Sequence, residues 1–307
     1  MIKHYIGNIG EFDYDDKLWE HDEDEDILHY IGDSPKVILP KGCTSCRRMF
    51  EAYSTSRELD LSEFDTSGVT DMSLMFYRSD ILKSLDISGF DTSSVKDMSH
   101  MFRACTQLKD LKLFKTPTPK LETIEGMFAN CTSLTEIDLS SLDTTNVTKM
   151  KSLFMNDAEL NSINVSSFNT EKVKTMASMF AMCLNLKSID VSNFKTSNCR
   201  NFSFMFAHCE DLKEIDVSSF DTSEAVTFEG MFRACKSVKE LDLSNFTSEK
   251  LINMEDMFTK CYALRKLDIS NINDEHVDFQ SSPFKLCRHL KDVDYSENNE
   301  HIVNFLK

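Results

Sequence analysis

The stretch Leu85–Cys105 reads LDISGFDTSSVKDMSHMFRAC, and variants of it return along most of the chain. Its Met-Phe pair marks the interval, because such a pair recurs on a 26-residue grid. The pairs are Met49-Phe50, Met75-Phe76, Met101-Phe102, Met127-Phe128, Met179-Phe180, Met205-Phe206, Met231-Phe232 and Met257-Phe258, with Leu153-Phe154 and Pro283-Phe284 at the remaining grid points. A period held through ten units without insertion predicts a solenoid, in which each unit buries its apolar side against the next.

Each unit also carries a leucine-rich-repeat strand pattern, L-x-x-L-x-L, as at Leu82, Leu85 and Ile87. A Phe and a polar turn follow, and then apolar residues such as Val95, Met98 and Met101. Their spacing of three fits one face of a short helix or 3-10 segment better than a strand. The sequence therefore predicts a leucine-rich-repeat-like solenoid of about ten coils, each with one short parallel β-strand and one short helical or 3-10 segment.

The repeated stretch resembles the BspA-like leucine-rich repeat, in its Met-Phe-rich subtype best known from bacterial surface proteins. The resemblance covers roughly residues 41–296. It implies a right-handed solenoid used for adhesion or protein binding, and no enzymatic activity. Many family members carry a secretion signal or surface anchor, whereas the start Met1–Gly7 lacks the long apolar stretch of a signal peptide.

Charge and hydropathy restrict the classes of partner. The chain has 34 basic and 51 acidic side chains, a net charge of −17, which repels nucleic acid and anionic lipid. No run of apolar residues is long enough for a membrane span. We therefore expect neither nucleic acid nor membrane insertion, and we expect a monomeric rod, since a solenoid needs no second core.

The first forty residues lie outside the grid and are strongly acidic. The block Asp22–Asp26 lacks the ligand spacing and the Gly of a calcium loop, so a solvated segment is the simpler interpretation and a cation site the alternative. His-Tyr-Ile-Gly occurs at His4–Gly7 and at His29–Gly32, and two such strands could cover the open edge of the first coil. The predicted division is residues 1–40 as acidic segment and cap, 41–296 as solenoid, and 297–307 as C-terminal cap or tail.

Ten cysteines occur, and all fall on apolar grid columns. The C-x-x-C at Cys43 and Cys46 could indicate zinc or redox chemistry, but both residues occupy core columns of an incomplete leading coil. No second C-x-x-C and no paired His completes a tetrahedral site. We expect buried free thiols, which favour a reducing compartment, whereas the family resemblance favours the cell surface.

Catalytic motifs are not found: the chain has no G-x-S-x-G, phosphate loop, dinucleotide fingerprint or H-E-x-x-H. We therefore expect a non-enzyme without cofactor or metal.

An aspartate column marks the outward side of the predicted strands, two residues before a serine column. Stacked carboxylates at strand spacing repel one another, so hydrogen bonds, counterions or raised pKa values must offset the repulsion. Three interpretations stay open: turn closure by Asp and Ser, an acidic binding face, and an array of cation sites. The candidate partner-binding aspartates are Asp138, Asp190, Asp216, Asp242 and Asp268.

One coil departs from the pattern. It carries Lys112 and Phe114 where other coils have Asp and Ser, followed by Lys115 and a turn with two prolines. Lys112 would relieve repulsion between Asp86 and Asp138. Phe114 would face outward in this register, and an aromatic beside basic side chains on a rigid loop has the composition of a binding hot spot. Drift in a tolerated turn is the alternative.

The sequence as a whole favours a non-catalytic interaction or adhesion module that presents an acidic repeat face to a protein or glycan. The alternative is a cytosolic scaffold or effector that uses the same faces.

Overall fold

The computed structural model describes residues 2–6, 10–22, 24–34 and 36–306, and the predicted repeat solenoid is confirmed. A ladder of parallel bridges descends the stack in 26-residue steps from Ser45 through Asp71, Asp97 and their equivalents to Asn253. We call the side of the stack that contains this ladder and the Met-Phe segments the turn side. The L-x-x-L-x-L segments form the other long side, which we call the strand side.

Regular strands are few and short. At the N-terminus β1 (Ile2–Ile6) pairs antiparallel with β2 (Gly10–Tyr14), and β3 (Trp19–Asp22) with β4 (Ile27–Tyr30). On the strand side β5 (Ser84–Asp86) pairs parallel with β6 (Asp110–Lys112). Strands β7 (Glu240–Asp242), β8 (Lys266–Asp268) and β9 (Asp292–Asp294) form a three-stranded parallel sheet. A 3-10 helix, Glu297–Asn299, and helix α1, Glu300–Val303, close the chain.

The Met-Phe segment differs from the sequence prediction. In coils from residue 43 to residue 287 it is a run of turns, without the expected helical or 3-10 piece. The cause is a left-handed backbone at two places in each coil, directly before the Met and two residues after the Phe, as at His100 (φ 58°) and Ala104 (φ 62°). A residue with positive φ cannot continue a right-handed helix.

Hydrogen bonds alternate along this segment. The amides of His100, Phe102 and Ala104 donate to carbonyls of the next coil, at 2.7, 2.9 and 2.8 Å. The amide of Met101, between them, donates within its own coil to Met98 at 3.3 Å. Because the same alternation recurs from coil to coil, the turn side forms a continuous hydrogen-bonded spine, which offsets the strain of the left-handed residues.

The core repeats with the coils. The ten phenylalanine rings from Phe50 to Phe284 stack in one column, with centroids 5.3–6.3 Å apart and planes within 2–11° of parallel. The methionines of the pairs and the strand-side leucines lie buried around this column. Such stacking contributes beyond the buried apolar area itself, by about 0.5–1.5 kcal/mol for an aromatic pair.

The N-terminal hairpin β3–β4 covers the first coil. The Tyr30 amide donates to the Met49 carbonyl at 2.9 Å, and the rings of Trp19 and Tyr30 lie 6.5 and 5.7 Å from that of Phe50. The two His-Tyr-Ile-Gly copies do not pair with each other: His4–Ile6 lies in β1 and His29 in β4, while Gly7 lies outside the described residues. The hairpin therefore continues the aromatic column beyond its first Phe.

A buried threonine column leads to the C-terminal cap. Threonine hydroxyls from Thr66 to Thr222 donate to carbonyls of the next coil at 2.8–3.3 Å. At the end of this column Asp274 accepts the Ile302 amide at 2.6 Å, and the Asn299 amide group donates to the Ile269 carbonyl at 3.0 Å. Across the described ranges, no helix combines the length and the apolar character that a membrane span requires.

Candidate functional site

The aspartate row is the set of outward aspartates on the strand side. From Asp60 to Asp268 each carboxylate accepts the amide of the serine two residues later, as Asp190 does from Ser192 at 3.0 Å, whereas the Ser296 amide donates to Asn299. The row consists of Asp60, Asp86, Asp138, Asp190, Asp216, Asp242, Asp268 and Asp294, with Lys112 and Asn164 at the two intervening positions. All but the half-buried Asp268 are exposed.

Hydrogen bonds to the serines outweigh the mutual repulsion of these carboxylates. The hydroxyl and amide of Ser192 lower the pKa of Asp190, and Ser218 does the same for Asp216 despite the charges of Asp190 and Asp242. In Asp86 the bond from Ser88 and then that from Lys112 lower the pKa to about 2. These hydrogen bonds close the turns and favour the ionised carboxylates of Asp60, Asp86, Asp138, Asp190, Asp216 and Asp242.

The odd coil corrects one prediction. Phe114 is 1% exposed, so it is a core residue and not an outward aromatic anchor. The chain buries two consecutive residues, Leu113 and Phe114, and thereby moves the aromatic two places before its usual column. Thr116 occupies that column instead, and its hydroxyl donates to the Phe90 carbonyl at 2.7 Å. The sequence prediction assumed that strand residues alternate strictly between inward and outward positions, and it therefore placed Phe114 on the wrong side.

The two predicted lysines remain at the surface. Lys112 is 74% exposed and lies 3.0 Å from the Asp86 carboxylate, while Lys115 is exposed on the following turn. Lys112 and Lys115 line one shallow depression, and the buried Phe114 lies at its floor.

A basic row, which sequence reasoning missed, borders the aspartate row. It lies three residues before the aspartates and consists of Arg57, Lys83, Lys109, Lys187, Lys213, Lys239, Arg265 and Lys291, with Thr135 and Asn161 at the intervening positions. All of these side chains are exposed, and none forms an ion pair with another described residue. The signal was available, since the bases recur on the same 26-residue grid.

Along the strand side, inter-coil hydrogen bonds are more complete in β5–β6 and β7–β9 than between these strands. The amides of Ile87, Leu243 and Ile269 each donate to the next coil at 2.9 Å. The equivalent amides of Leu113, Leu139, Val165, Val191 and Val217 make no such bond. Near the start of the L-x-x-L-x-L segments, the amide of Lys213 lies 3.4 Å from the Lys187 carbonyl. The equivalent distance, from the Arg265 amide to the Lys239 carbonyl, is 2.8 Å. The coils therefore stand farther apart on the strand side in the middle of the stack.

Shallow depressions follow this opened surface. One is lined by Lys109–Lys112 and Glu136–Leu139, and a second lies beside it around Lys115 and Ser140. A third is lined by Ser188–Asp190 and Glu214–Asp216, and a fourth by lysines of the basic row and their neighbours. Charged side chains, backbone edges and apolar atoms together form the walls of these depressions. We call this surface, with its two charged rows, the strand face.

The other candidate groups are structural. Burial raises the pKa of Cys43 to about 11 and that of Cys46 further, so both thiols stay protonated. In the acidic block Asp22 accepts the amides of Asp24 and Glu25, Glu25 pairs with Arg48 at 2.8 Å, and Glu23 lies outside the described residues. Within the described part of the chain, no three His, Cys, Asp or Glu side chains form a group that could hold a metal ion.

Comparison with known proteins agrees with this architecture. The family described as "Mycoplasma protein of unknown function, DUF285" matches residues 44–137, 122–240 and 187–298. No curated protein matches the chain significantly.

Among solved structures, a leucine-rich repeat protein from Bacteroides ovatus is similar, at 18% identity and a TM-score of 0.55, over 92% of this chain and 76% of that one. A leucine-rich cell surface protein from Faecalibacterium prausnitzii matches at 16% identity and a TM-score of 0.34, over 94% and 96%. A leucine-rich repeat protein from Eubacterium ventriosum matches at 15% and 0.34, over 97% and 91%. The predicted relationship to BspA-like leucine-rich repeats is confirmed.

Proposed function

The chain belongs to the family described as Mycoplasma protein of unknown function, DUF285, and on that premise we propose that it is a non-catalytic interaction or adhesion module. It presents the strand face, with its aspartate row, to a protein or glycan partner. The proposal treats residues 41–296 as the binding solenoid, and residues 1–40 and 297–307 as its caps.

The observation that carries the proposal is the contrast between the two long sides. The turn side uses its backbone groups in the spine and is sealed by the phenylalanine column. The strand side has amides in its middle that make no bond to the next coil, and it carries the exposed charged rows and the shallow depressions. Available hydrogen-bonding groups and ionised side chains on a rigid surface are what a protein or glycan partner can use.

Site-specific photo-crosslinking tests this assignment of the binding face. A benzophenone amino acid replaces Asp216 on the strand face or, as a matched control, Glu171, which is exposed on a turn outside the strand segments. Both proteins are irradiated in a lysate of the source cells, and adducts are identified by mass spectrometry. We expect a reproducible adduct from position 216 and none from 171. Equal capture at the two positions, or capture at 171 alone, would contradict the proposal.

The second candidate function, a scaffold or effector inside a cell, is favoured by the cysteines. All ten are free, and nine are buried. Their thiols donate to carbonyls, as Cys235 does to Phe206 at 3.1 Å. Reduced thiols persist in reducing compartments. Immunodetection on intact and on permeabilised cells separates the two candidates: surface staining of intact cells supports adhesion, and staining only after permeabilisation supports the scaffold.

A further inference from the structure

The basic row and the aspartate row run together without a break through the last five coils. Each of these coils has a base and, three residues later, an acid: Lys187 and Asp190, Lys213 and Asp216, Lys239 and Asp242, Arg265 and Asp268, Lys291 and Asp294. In the earlier half the rows are interrupted by Lys112, Thr135, Asn161 and Asn164. The last five coils therefore present two parallel lines of opposite charge.

The dimensions of this bipolar surface follow from strand geometry. Three residues of chain span at most about 10 Å, which is the upper limit for the distance between the two lines, and successive coils advance by about 4.8 Å. The bases have no ion-pair partner among the described residues, whereas Asp190, Asp216, Asp242 and Asp268 each accept the amide of the serine two residues later. The positive line is thus available to an external carboxylate, and the negative line is fixed in position.

Charge complementarity restricts what can lie along both lines. A uniformly anionic polymer would meet the aspartate row within about 10 Å of the bases, close to the Debye length of about 8 Å at physiological salt. Glu214 and Glu240 lie between the rows and would repel it further. A ligand that fits must carry acidic groups on one flank and basic groups on the other.

An α-helix laid along the stack meets these requirements. Its diameter with side chains is about 10–12 Å, and its pitch of about 5.4 Å brings one residue of each flank to each coil. We infer that the strand face of residues 187–294 binds an α-helix of a partner protein that carries Glu or Asp along one flank and Lys or Arg along the other. Five coils correspond to about 16 helical residues. This inference rests on the proposed function, and it names the class of partner.

The two rows also set the direction of the helix. Turning a bipolar helix end for end exchanges its flanks, so that only one direction places acids over the basic row. Exchanging the charges of the two rows should therefore reverse the bound helix without weakening its binding. A Lys in the aspartate row is compatible with the coil, because Lys112 already occupies that row.

The probe is a synthetic alanine-based helix of about 18 residues with Glu on one flank and Lys on the other; the control peptide has the same composition with both charges mixed on each flank. Binding is measured by fluorescence anisotropy at low salt. The base-reversed variant carries Lys187→Glu, Lys213→Glu and Lys239→Glu. The row-exchanged variant adds Asp190→Lys, Asp216→Lys and Asp242→Lys.

We expect the bipolar peptide to bind the parent protein, to lose about 10- to 100-fold in affinity for the base-reversed variant, and to regain it for the row-exchanged variant. Circular dichroism shows whether the two charge variants fold. If one does not, Lys187, Lys213 and Lys239 are changed to Gln, and we expect this variant to lose affinity for the bipolar peptide. The row-exchanged variant is then replaced by a twofold increase in ionic strength, which should weaken binding to the parent protein.

Three results overturn the inference: absence of peptide binding, equal binding of the mixed-flank peptide, or undiminished binding by the base-reversed variant. If position 216 nevertheless captures a protein by photo-crosslinking, the proposed function stands and only the helix is excluded.

Discussion

Two glycines occupy the left-handed position before the Met-Phe pair for a reason of space. Ser152 and Ser178 adopt the same positive φ with a side chain, so backbone conformation alone does not require glycine there. At Gly230 the ring of Phe204, in the preceding coil, fills the room that a Cβ atom would need, and at Gly126 the ring of His100 does so. Each glycine therefore accommodates a large neighbour one coil away.

We predict that Gly230→Ala lowers the free energy of unfolding by about 1–3 kcal/mol, because its Cβ would lie 2.3 Å from Phe204 Cε1. Gly89→Ala is the control, since a Cβ at Gly89 meets nothing within 4 Å. Urea denaturation followed by circular dichroism compares the two. An equal loss in both variants would exclude contact with Phe204 as the cause.

A second residue-scale feature is Asp157, which replaces cysteine in the thiol column. It is fully buried, and its Oδ1 accepts the Cys131 amide at 2.7 Å, while its Oδ2 has no partner among the described residues. Burial raises the pKa of this carboxyl well above its usual value. The folded protein therefore holds a proton there that the unfolded chain releases above a pH of about 3.9.

Since the folded pKa is raised, the stability that protonated Asp157 provides is full below the unfolded pKa and is lost as the pH rises toward the folded pKa. We predict that Asp157→Cys, which restores the repeat residue, stabilises the protein by about 1–3 kcal/mol at pH 7 and by less at pH 4. Denaturation at the two pH values measures this. A gain independent of pH, or a loss at pH 7, would contradict the assignment.

The thiols differ in reactivity along their column. Burial raises the pKa of Cys235 to about 12, whereas the hydrogen bond with Cys261 lowers the pKa of the half-buried Cys287. We predict that one thiol reacts rapidly with Ellman's reagent in the native protein and that Cys287→Ser removes this phase, with ten thiols reacting in denatured parent protein. A rapid phase that persists in Cys287→Ser would show that another thiol is accessible.

At the scale of elements, the caps continue the bonding of the coils they cover. The Asn299 amide group donates to the carbonyls of Ile269 and Ile272. Asn245 bonds in the same way to Val217 and Phe220 inside the stack. The C-terminal segment thus gives the last coils the same side-chain hydrogen bonds to backbone carbonyls that a further coil would give.

We predict that Asn299→Ala destabilises the C-terminal coils by about 1–3 kcal/mol, because two buried side-chain hydrogen bonds to carbonyls are lost, although the Ile269 carbonyl keeps the bond from the Ile272 amide. Asn271→Ala, which removes a single bond to the Ser244 carbonyl at the surface, serves as the control. Circular dichroism follows the whole stack, and the fluorescence of Trp19, the single tryptophan, follows the opposite cap. Since coils couple mainly to their neighbours, the Trp19 transition should shift less. Equal shifts of both signals would refute nearest-neighbour coupling.

The sequence predicts elements unevenly, and the reasons are physical. The 26-residue period and the apolar columns identify the solenoid and its core, because burial forces the same residue types to recur. The turn conformation escapes detection, since left-handed residues such as His100, Phe204 and Met182 are not the Gly or Asn that usually mark it. The burial of Phe114 is not predicted, because a single coil can shift its aromatic residue by two positions and still fill the core.

The candidate site was predicted in part. The aspartate and serine columns are visible in the sequence, but the serine bonds that keep the aspartates ionised require coordinates. The basic row is equally visible in the sequence, but the net charge of −17 conceals it, because the acidic side chains outnumber the basic ones. The missing backbone bonds of the strand side depend on the spacing between coils, which no single coil encodes.

The whole molecule consists of a hydrogen-bonded spine on the turn side and the strand face on the other long side. The spine is continuous, since turn-side amides such as those of Phe102, Phe128 and Phe154 all donate to the next coil at 2.9–3.0 Å. On the strand face, the amides of Ile87, Leu243 and Ile269 donate to the next coil, whereas the equivalent amides from Leu113 to Val217 do not. This division underlies the proposed function, because it leaves one long side for a partner.

Hydrogen exchange of backbone amides, resolved by residue, tests this division most directly. The account predicts slow exchange for the turn-side amides of Phe102, Phe128 and Phe154 and for the strand-side amides of Ile87 and Ile269. It predicts exchange faster by at least tenfold for the strand-side amides of Leu139, Val165, Val191 and Val217, about 1.4 kcal/mol less protection. Equal protection of both sets would show that the strand side is closed along its whole length and would contradict the account.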